Sequence, residues 1–227
     1  MEEENKFKRT IKTYVLRAGR MTDHEKKSYE QLKEIYCIPF SNDKIDYKKI
    51  FNNDNPVVME IGFGMGSATA QIAQNNPDIN YLGSEVHVPG IGKLLSEINK
   101  RELKNLYILP YDALEILDEM IPDNSLSAFH IFFPDPWPKK KHHKRRMLQR
   151  PRTDLLASKL TNGGYLYFAT DWEEYAFSAL EELSLTEGLK NKYEAFAPHQ
   201  EWRPQTKFEA KGIEAGRKIY ELIFVKQ

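Results

Sequence analysis

The chain has 227 residues, 41% of them hydrophobic, with 33 Lys+Arg balanced by 33 Asp+Glu. That is enough apolar material to bury a core unaided, so disorder is excluded as the main state, and the lone Cys37 excludes an internal disulfide or a multi-cysteine zinc site. No apolar run approaches the roughly 18 residues of a membrane span, and Glu2, Glu3 and Glu4 carry the wrong sign for a secretory signal, so a cytosolic enzyme or binding protein is expected.

Residues 1–21 show no periodicity and read as a basic, flexible arm ahead of a single domain over 22–227. Thr22 with Glu25 fits a capping box and opens a helix whose Tyr29, Leu32 and Tyr36 share one face, ended by Pro39. Residues 40–55 are polar and turn-like. Strands then alternate with helices. The predicted order is strand Val57–Ile61, helix Ser67–Asn75, strand Ile79–Glu85, helix Pro89–Lys100, strand Leu106–Leu109 and helix Leu114–Ile121. Strand Leu126–Phe133, helix Thr153–Leu160, strand Tyr165–Thr170, helix Glu173–Leu183 and an apolar closing strand Ile219–Val225 follow. This alternation predicts an α/β fold with a parallel sheet covered on both faces. Ligands then bind outside the carboxyl ends of the strands, near the point where strand order reverses.

The zero net charge hides an asymmetry. Lys6, Lys8, Arg9, Lys12, Arg17 and Arg20 form one basic segment without an acid, and Lys139, Lys140, Lys141, Lys144, Arg145 and Arg146 form a second. Outside these twelve residues, 21 basic side chains face 33 acidic ones. An acidic body carrying two basic segments points to an anionic partner.

The strand-end loops carry the chemistry. Glu60-Ile61-Gly62-Phe63-Gly64-Met65-Gly66 is a G-x-G-x-G turn between a strand and a helix, which lets a ligand approach the backbone. Glu85 ends the second strand, nineteen positions beyond Gly66, where a carboxylate can accept from both ribose hydroxyls. Asp112 follows the third strand and is open between a helix N-cap and an acceptor for an adenine amine. A pyrophosphate favours a loop free of negative charge, whereas Glu60 suits a cationic ligand end such as a sulfonium or an α-amine. Glu60, the glycine turn, Glu85 and Asp112 in this order resemble the class I S-adenosylmethionine (SAM)-dependent methyltransferases. The resemblance implies a Rossmann-like, seven-stranded, mostly parallel sheet with helices on both faces.

The fourth strand ends in Phe133-Pro134-Asp135-Pro136-Trp137-Pro138, a stiff loop presenting a carboxylate and an aromatic ring and leading into the second basic segment. Stacking, base-edge hydrogen bonds and phosphate contacts together suit a purine presented by RNA. The stretch FPDPWPKKKHHKRR closely resembles the signature of the bacterial tRNA (guanine-N7-)-methyltransferases of the TrmB type. Thr170-Asp171-Trp172, Arg203 to Glu209 and Tyr14 to Thr22 agree with it.

The resemblance implies SAM contacts at Glu60, Gly62, Gly64, Gly66, Glu85, Asp112 and Asp135, with Asp135 also catalytic. It implies substrate contacts at Lys139, Asp171, Thr206, Lys207, Phe208 and Glu209. It implies RNA contacts at Lys141, His142, His143, Lys144, Arg145 and Arg146, and a guanosine of the tRNA variable loop as target. Asp171 and Glu209, as pure acceptors, suit the guanine N1–H and amino group. No metal or membrane is expected. The expected state is a monomer, with a homodimer as alternative. Trp172 and Trp202 stay open between core and base platform. An NAD-dependent oxidoreductase shares the glycine loop and ribose acid but leaves Asp135 and the basic run without purpose. A non-catalytic RNA-binding protein on the same fold leaves the four acids without one.

Overall fold

The structure, a computed structural model, describes residues 11–15 and 19–227. Lys6, Lys8, Arg9 and Arg17 of the basic arm lie outside the described residues.

Helix α1 (Asp23–Tyr36) begins at the capping box: Thr22 Oγ1 accepts from Glu25 N at 3.3 Å, and Glu25 Oε2 accepts from Thr22 N at 2.8 Å. Seven strands follow, β1 (Val57–Ile61), β2 (Asn80–Ser84), β3 (Leu106–Leu109), β4 (Leu126–Phe132), β5 (Leu160–Thr170), β6 (Leu189–Asn191) and β7 (Tyr220–Lys226). They form one sheet in the order β3-β2-β1-β4-β5-β7-β6. β1 to β5 run parallel, and β7 is antiparallel to both β5 and β6. β1 lies between β2 and β4, so the order reverses there and leaves a crevice at its carboxyl end.

The helices α3 (Ser67–Asn75), α4 (Val88–Arg101), α5 (Ala113–Glu119), α6 (Arg152–Lys159) and α7 (Glu173–Ser184) cover both faces. Side chains of a strand alternate between faces, and β1 shows the consequence. Val57, Met59 and Ile61 join a core with Ile116, Leu117, Leu156 and Tyr175, while Val58 joins a second core with Ala70, Ile72, Leu94 and Leu95. All five residues of β1 are buried, which is why this strand reads as continuously apolar apart from Glu60. Among the described residues, no helix is long and apolar enough to cross a membrane.

Four elements differ from the sequence reading. Residues 40–55 contain a short helix, α2 (Tyr47–Phe51), capped by Asp46, which accepts from Lys49 N at 3.2 Å, and closed by left-handed Asn52. β5 begins at Leu160, five residues before the predicted Tyr165, and pairs Leu160 with Leu126 across an irregular register. β6 is a three-residue edge strand held by β7 and lacks alternation of its own. Helix α8 (Lys207–Glu214) occupies the stretch treated as a motif without secondary structure.

Two glycines let the sheet end and helix α4 approach closely. A Cβ at Gly66, where φ is +71°, would lie 2.7 Å from the Leu94 Cβ, and a Cβ at Gly90 would lie 2.0 Å from the Gly64 carbonyl oxygen. The glycine turn therefore sits directly against the first turn of α4.

Candidate active site

The loops after β1, β2 and β4 meet around a cavity of about 290 Å³ lined by Gly62, Gly64, Glu85, Asp135 and Phe208. An adjoining cavity of about 390 Å³ is lined by Glu60, Gly66, Thr206, Lys207, Phe208 and Lys211. Gly62, Gly64, Met65, Phe133 and Phe208 belong to both walls. Nothing lies within 4 Å of where a Gly62 Cβ would sit, so the first turn glycine opens onto free space.

Glu60 is buried beside the glycine turn. Burial pushes its carboxyl up to about 7, a shift that Thr69 opposes and the Glu85 charge reinforces. An acid held near neutrality in this way is stabilised as a carboxylate by an arriving cation. Glu85 ties its own strand end to the turn: Oε2 accepts from Gly64 N at 2.9 Å, and Oε1 accepts from Val86 N at 2.8 Å and His87 N at 3.0 Å. Asp112 caps α5 by accepting from Leu114 N at 2.9 Å, so the capping alternative is realised, and its side chain is outside the residues lining either cavity.

The Asp135 loop is braced from three sides. Phe133 (φ 51°) and Trp137 (φ 50°) are both left-handed, a conformation costing about 1–3 kcal/mol in a non-glycine residue and kept only where the surroundings impose it. Arg146 Nε donates to the Pro136 carbonyl at 2.9 Å. Trp137 Nε1 donates to the Thr13 carbonyl at 3.1 Å, and the Arg145 guanidinium lies over the Trp137 ring at 4.3 Å. Arg145 Nε and Arg152 Nη2 donate to the carbonyls of Lys12 and Ile11, both at 3.2 Å. The described part of the N-terminal arm is thus laid along the cavity, with Thr13, Tyr14 and Val15 in its wall.

The basic run folds into a 3-10 turn, Lys140–Arg145. Lys139, Lys140, Lys141 and Lys144 are exposed, and His142, His143 and Arg145 are half-buried. Arg146 requires a correction. It is 1% exposed, its guanidinium is bound by both carboxylate oxygens of Glu174, and it lies 4.7 Å from the Tyr175 ring centroid. It braces the loop from behind and is not presented to a phosphate.

Thr206, Lys207 and Phe208 come to the cavity wall on the first turn of α8, where Thr206 and Glu209 form a second capping box. Glu209 is the second correction. It is 3% exposed and grips Arg203 through both oxygens at 2.7 Å, so it orients α8 and does not offer its carboxylate to a base edge. Asp171, at the end of β5, is paired with Arg217 at 2.9 Å. His199, Glu209 and Glu221 lie close enough to hold a metal, but the Arg203 guanidinium already fills that space, 2.8 Å from Glu221. Sequence reasoning gave no role to Thr13, Arg203, Lys211 or Arg217. The T-x-x-E spacing at Thr206–Glu209 was a readable helix signal; the others are visible only in three dimensions.

Glycine turn, acid-ended strands and strand order together define a class I methyltransferase. Residues 54–222 match the family model described as "Putative methyltransferase". Over 217 residues the chain is 48% identical to the tRNA (guanine-N(7)-)-methyltransferase of Dechloromonas aromatica (strain RCB), covering 96% of this chain and 88% of that protein. The enzyme of the same name from Chromobacterium violaceum is 46% identical and covers 98% of both chains. The chain belongs to the tRNA (guanine-N(7)-)-methyltransferase family. Among solved structures, the 16S rRNA methyltransferase KamB superposes with a TM-score of 0.57 at 15% identity, covering 94% of this chain and 99% of that one, a likeness of fold. A mutant 16S rRNA (adenine(1408)-N(1))-methyltransferase with cosubstrate SAM, from Catenulisporales acidiphilia, gives the same TM-score of 0.57 at 13% identity, covering 81% and 92%.

Proposed function

We propose that this chain transfers a methyl group from SAM to N7 of a guanosine in the variable loop of tRNA, acting in the cytoplasm as a monomer with one catalytic domain over 22–227 and a basic arm over 1–21. The observation that carries this reading is the shared cavity: Glu85, the glycine turn and Asp135 line one space, and the Asp135 loop runs directly into the exposed cations of the 3-10 turn. The residues fit the cofactor, because a buried acid poised near neutrality and an open glycine turn are what a cationic nucleoside requires. When bound, SAM supplies the methyl group on a positively charged sulfur.

Guanine N7 carries its own lone pair, so no side chain has to remove a proton. The work left to the protein is alignment and stabilisation of the positive charge that develops on the purine. In this reading Asp135 supplies that stabilisation, and Asp171 accepts from the base edge. Lys139, Lys141 and Lys144 offer charge to the phosphates.

Glu60 gives the reading a pH signature. With its carboxyl near 7 in the free protein, the site must lose a proton before it takes a cation, so SAM affinity falls as pH drops. Between pH 8 and pH 6 the dissociation constant is expected to rise about tenfold. Titration calorimetry across that range measures it. Glu60→Gln is expected to bind more weakly at pH 8 and to lose the pH dependence. A wild-type profile that is flat, or a variant that keeps the wild-type slope, removes Glu60 from the cation site.

A further inference from the structure

The body outside the two basic segments is acidic by count, yet the structure gathers a third basic surface on it. Between residues 207 and 218 the basic side chains are Lys207, Lys211, Arg217 and Lys218, and all four are exposed. Of the two acids in this stretch, Glu209 is buried on Arg203, leaving Glu214 as the exposed one. Lys207 and Lys211 line the cavity that also holds Glu60 and Phe133. Arg217 follows α8, with its backbone N–H on the Gly212 carbonyl, and its Nε meets Asp171 at 2.9 Å. Lys218 lies 5.1 Å from the Tyr220 ring centroid, and Tyr220 pairs with Thr170 at the carboxyl end of β5.

We propose that Lys211, Arg217 and Lys218 form a second phosphate-binding wall for the RNA substrate, beginning at Lys211 in the cavity that adjoins the one lined by Asp135. This rests on the tRNA reading of the site. Two basic walls, one after β4 and one before β7, grip the backbone on both sides of a base entering between them. Arg217 has a further part. Its pair with Asp171 is nearly half exposed on the arginine side, and pairs so open to solvent are weak. A phosphate takes the guanidinium, and Asp171 is left free to accept from the guanine edge. RNA docking thereby prepares the acceptor.

The test uses the full-length protein and unmodified tRNA, with binding measured over a range of salt concentrations. The variant Lys211→Ala/Arg217→Ala/Lys218→Ala is expected to flatten the slope of log K against log salt by about 2–3, since each lost contact removes roughly 0.7–0.9. At about 0.15 M salt this corresponds to about fivefold weaker binding per contact. The double variant Lys211→Ala/Lys218→Ala leaves the Asp171 pair intact and should flatten the slope by about 1.5. Arg217→Lys keeps the charge and should keep the slope. Wild-type slope and affinity in both Ala variants overturn the wall. A wild-type protein that binds no tRNA overturns the functional reading, and the wall with it.

Discussion

Asp135→Asn is expected to lower the single-turnover rate of methyl transfer by about 10²–10³-fold with SAM and tRNA both saturating. The substitution changes one atom and keeps the size of the side chain, so the loop retains its shape. That shape is held by Pro134 and Pro136 within the loop, by Arg146 donating to the Pro136 carbonyl and by Trp137 donating to the Thr13 carbonyl. What is lost is a fixed negative charge where the purine gains positive charge. Saturation with both ligands keeps binding losses out of the rate. A near-wild-type rate would mean that Asp135 only shapes the loop.

Arg203→Met has the largest expected effect on stability. The Arg203 side chain is fully buried and donates to Glu209 at 2.7 Å through two nitrogens, to Glu221 at 2.8 Å and to the Tyr167 hydroxyl at 3.0 Å. Removing the cation leaves two buried carboxylates facing each other, a loss of about 3–5 kcal/mol. For a domain of this size that is a melting temperature lower by roughly 10 °C. The pH dependence should also invert. In the native protein burial pushes the Glu221 carboxyl up, but hydrogen bonds from Tyr167, His199 and Arg203 outweigh it and hold it below the usual range. Its contribution is therefore present above the ordinary carboxylate range and fades as pH falls. In the variant the Glu221 carboxyl loses the Arg203 cation while staying buried and is raised, so stability should grow as pH falls from 7 to 5. Thermal melts over that interval decide it; a loss under about 2 °C with an unchanged profile would deny Arg203 this role. Because Glu209 sits on the first turn of α8, loosening this network also loosens Thr206, Lys207 and Phe208 at the cavity wall.

The parallel core was legible because β1, β3, β4 and the second half of β5 are largely buried and read as mostly apolar runs. β6 was not, since its three residues become a strand only by pairing with β7. α2 escaped because one buried residue, Phe51, anchors a helix too short for periodicity. The acids at the strand ends stood out by type and spacing, and Glu60, Glu85 and Asp135 do line the cavities. Charge along the chain was a poorer guide to exposure. Arg146 closes the basic run in sequence but points into the core, and Glu209 sits in the substrate motif while serving Arg203. Conversely, Lys211 and Arg217 drew no notice in a stretch with acids of its own, and they count as basic surface only because Glu209 is buried.

Transfer of labelled methyl from SAM to unmodified tRNA, followed by nucleoside analysis, tests the central claim most directly. A matched transcript carrying 7-deazaguanosine serves as the control, because it lacks the N7 lone pair and keeps the rest of the base edge. The expected result is label recovered as N7-methylguanosine from the first transcript and no label in the second. Label in another nucleoside, or equal labelling of the two transcripts, would contradict the assignment.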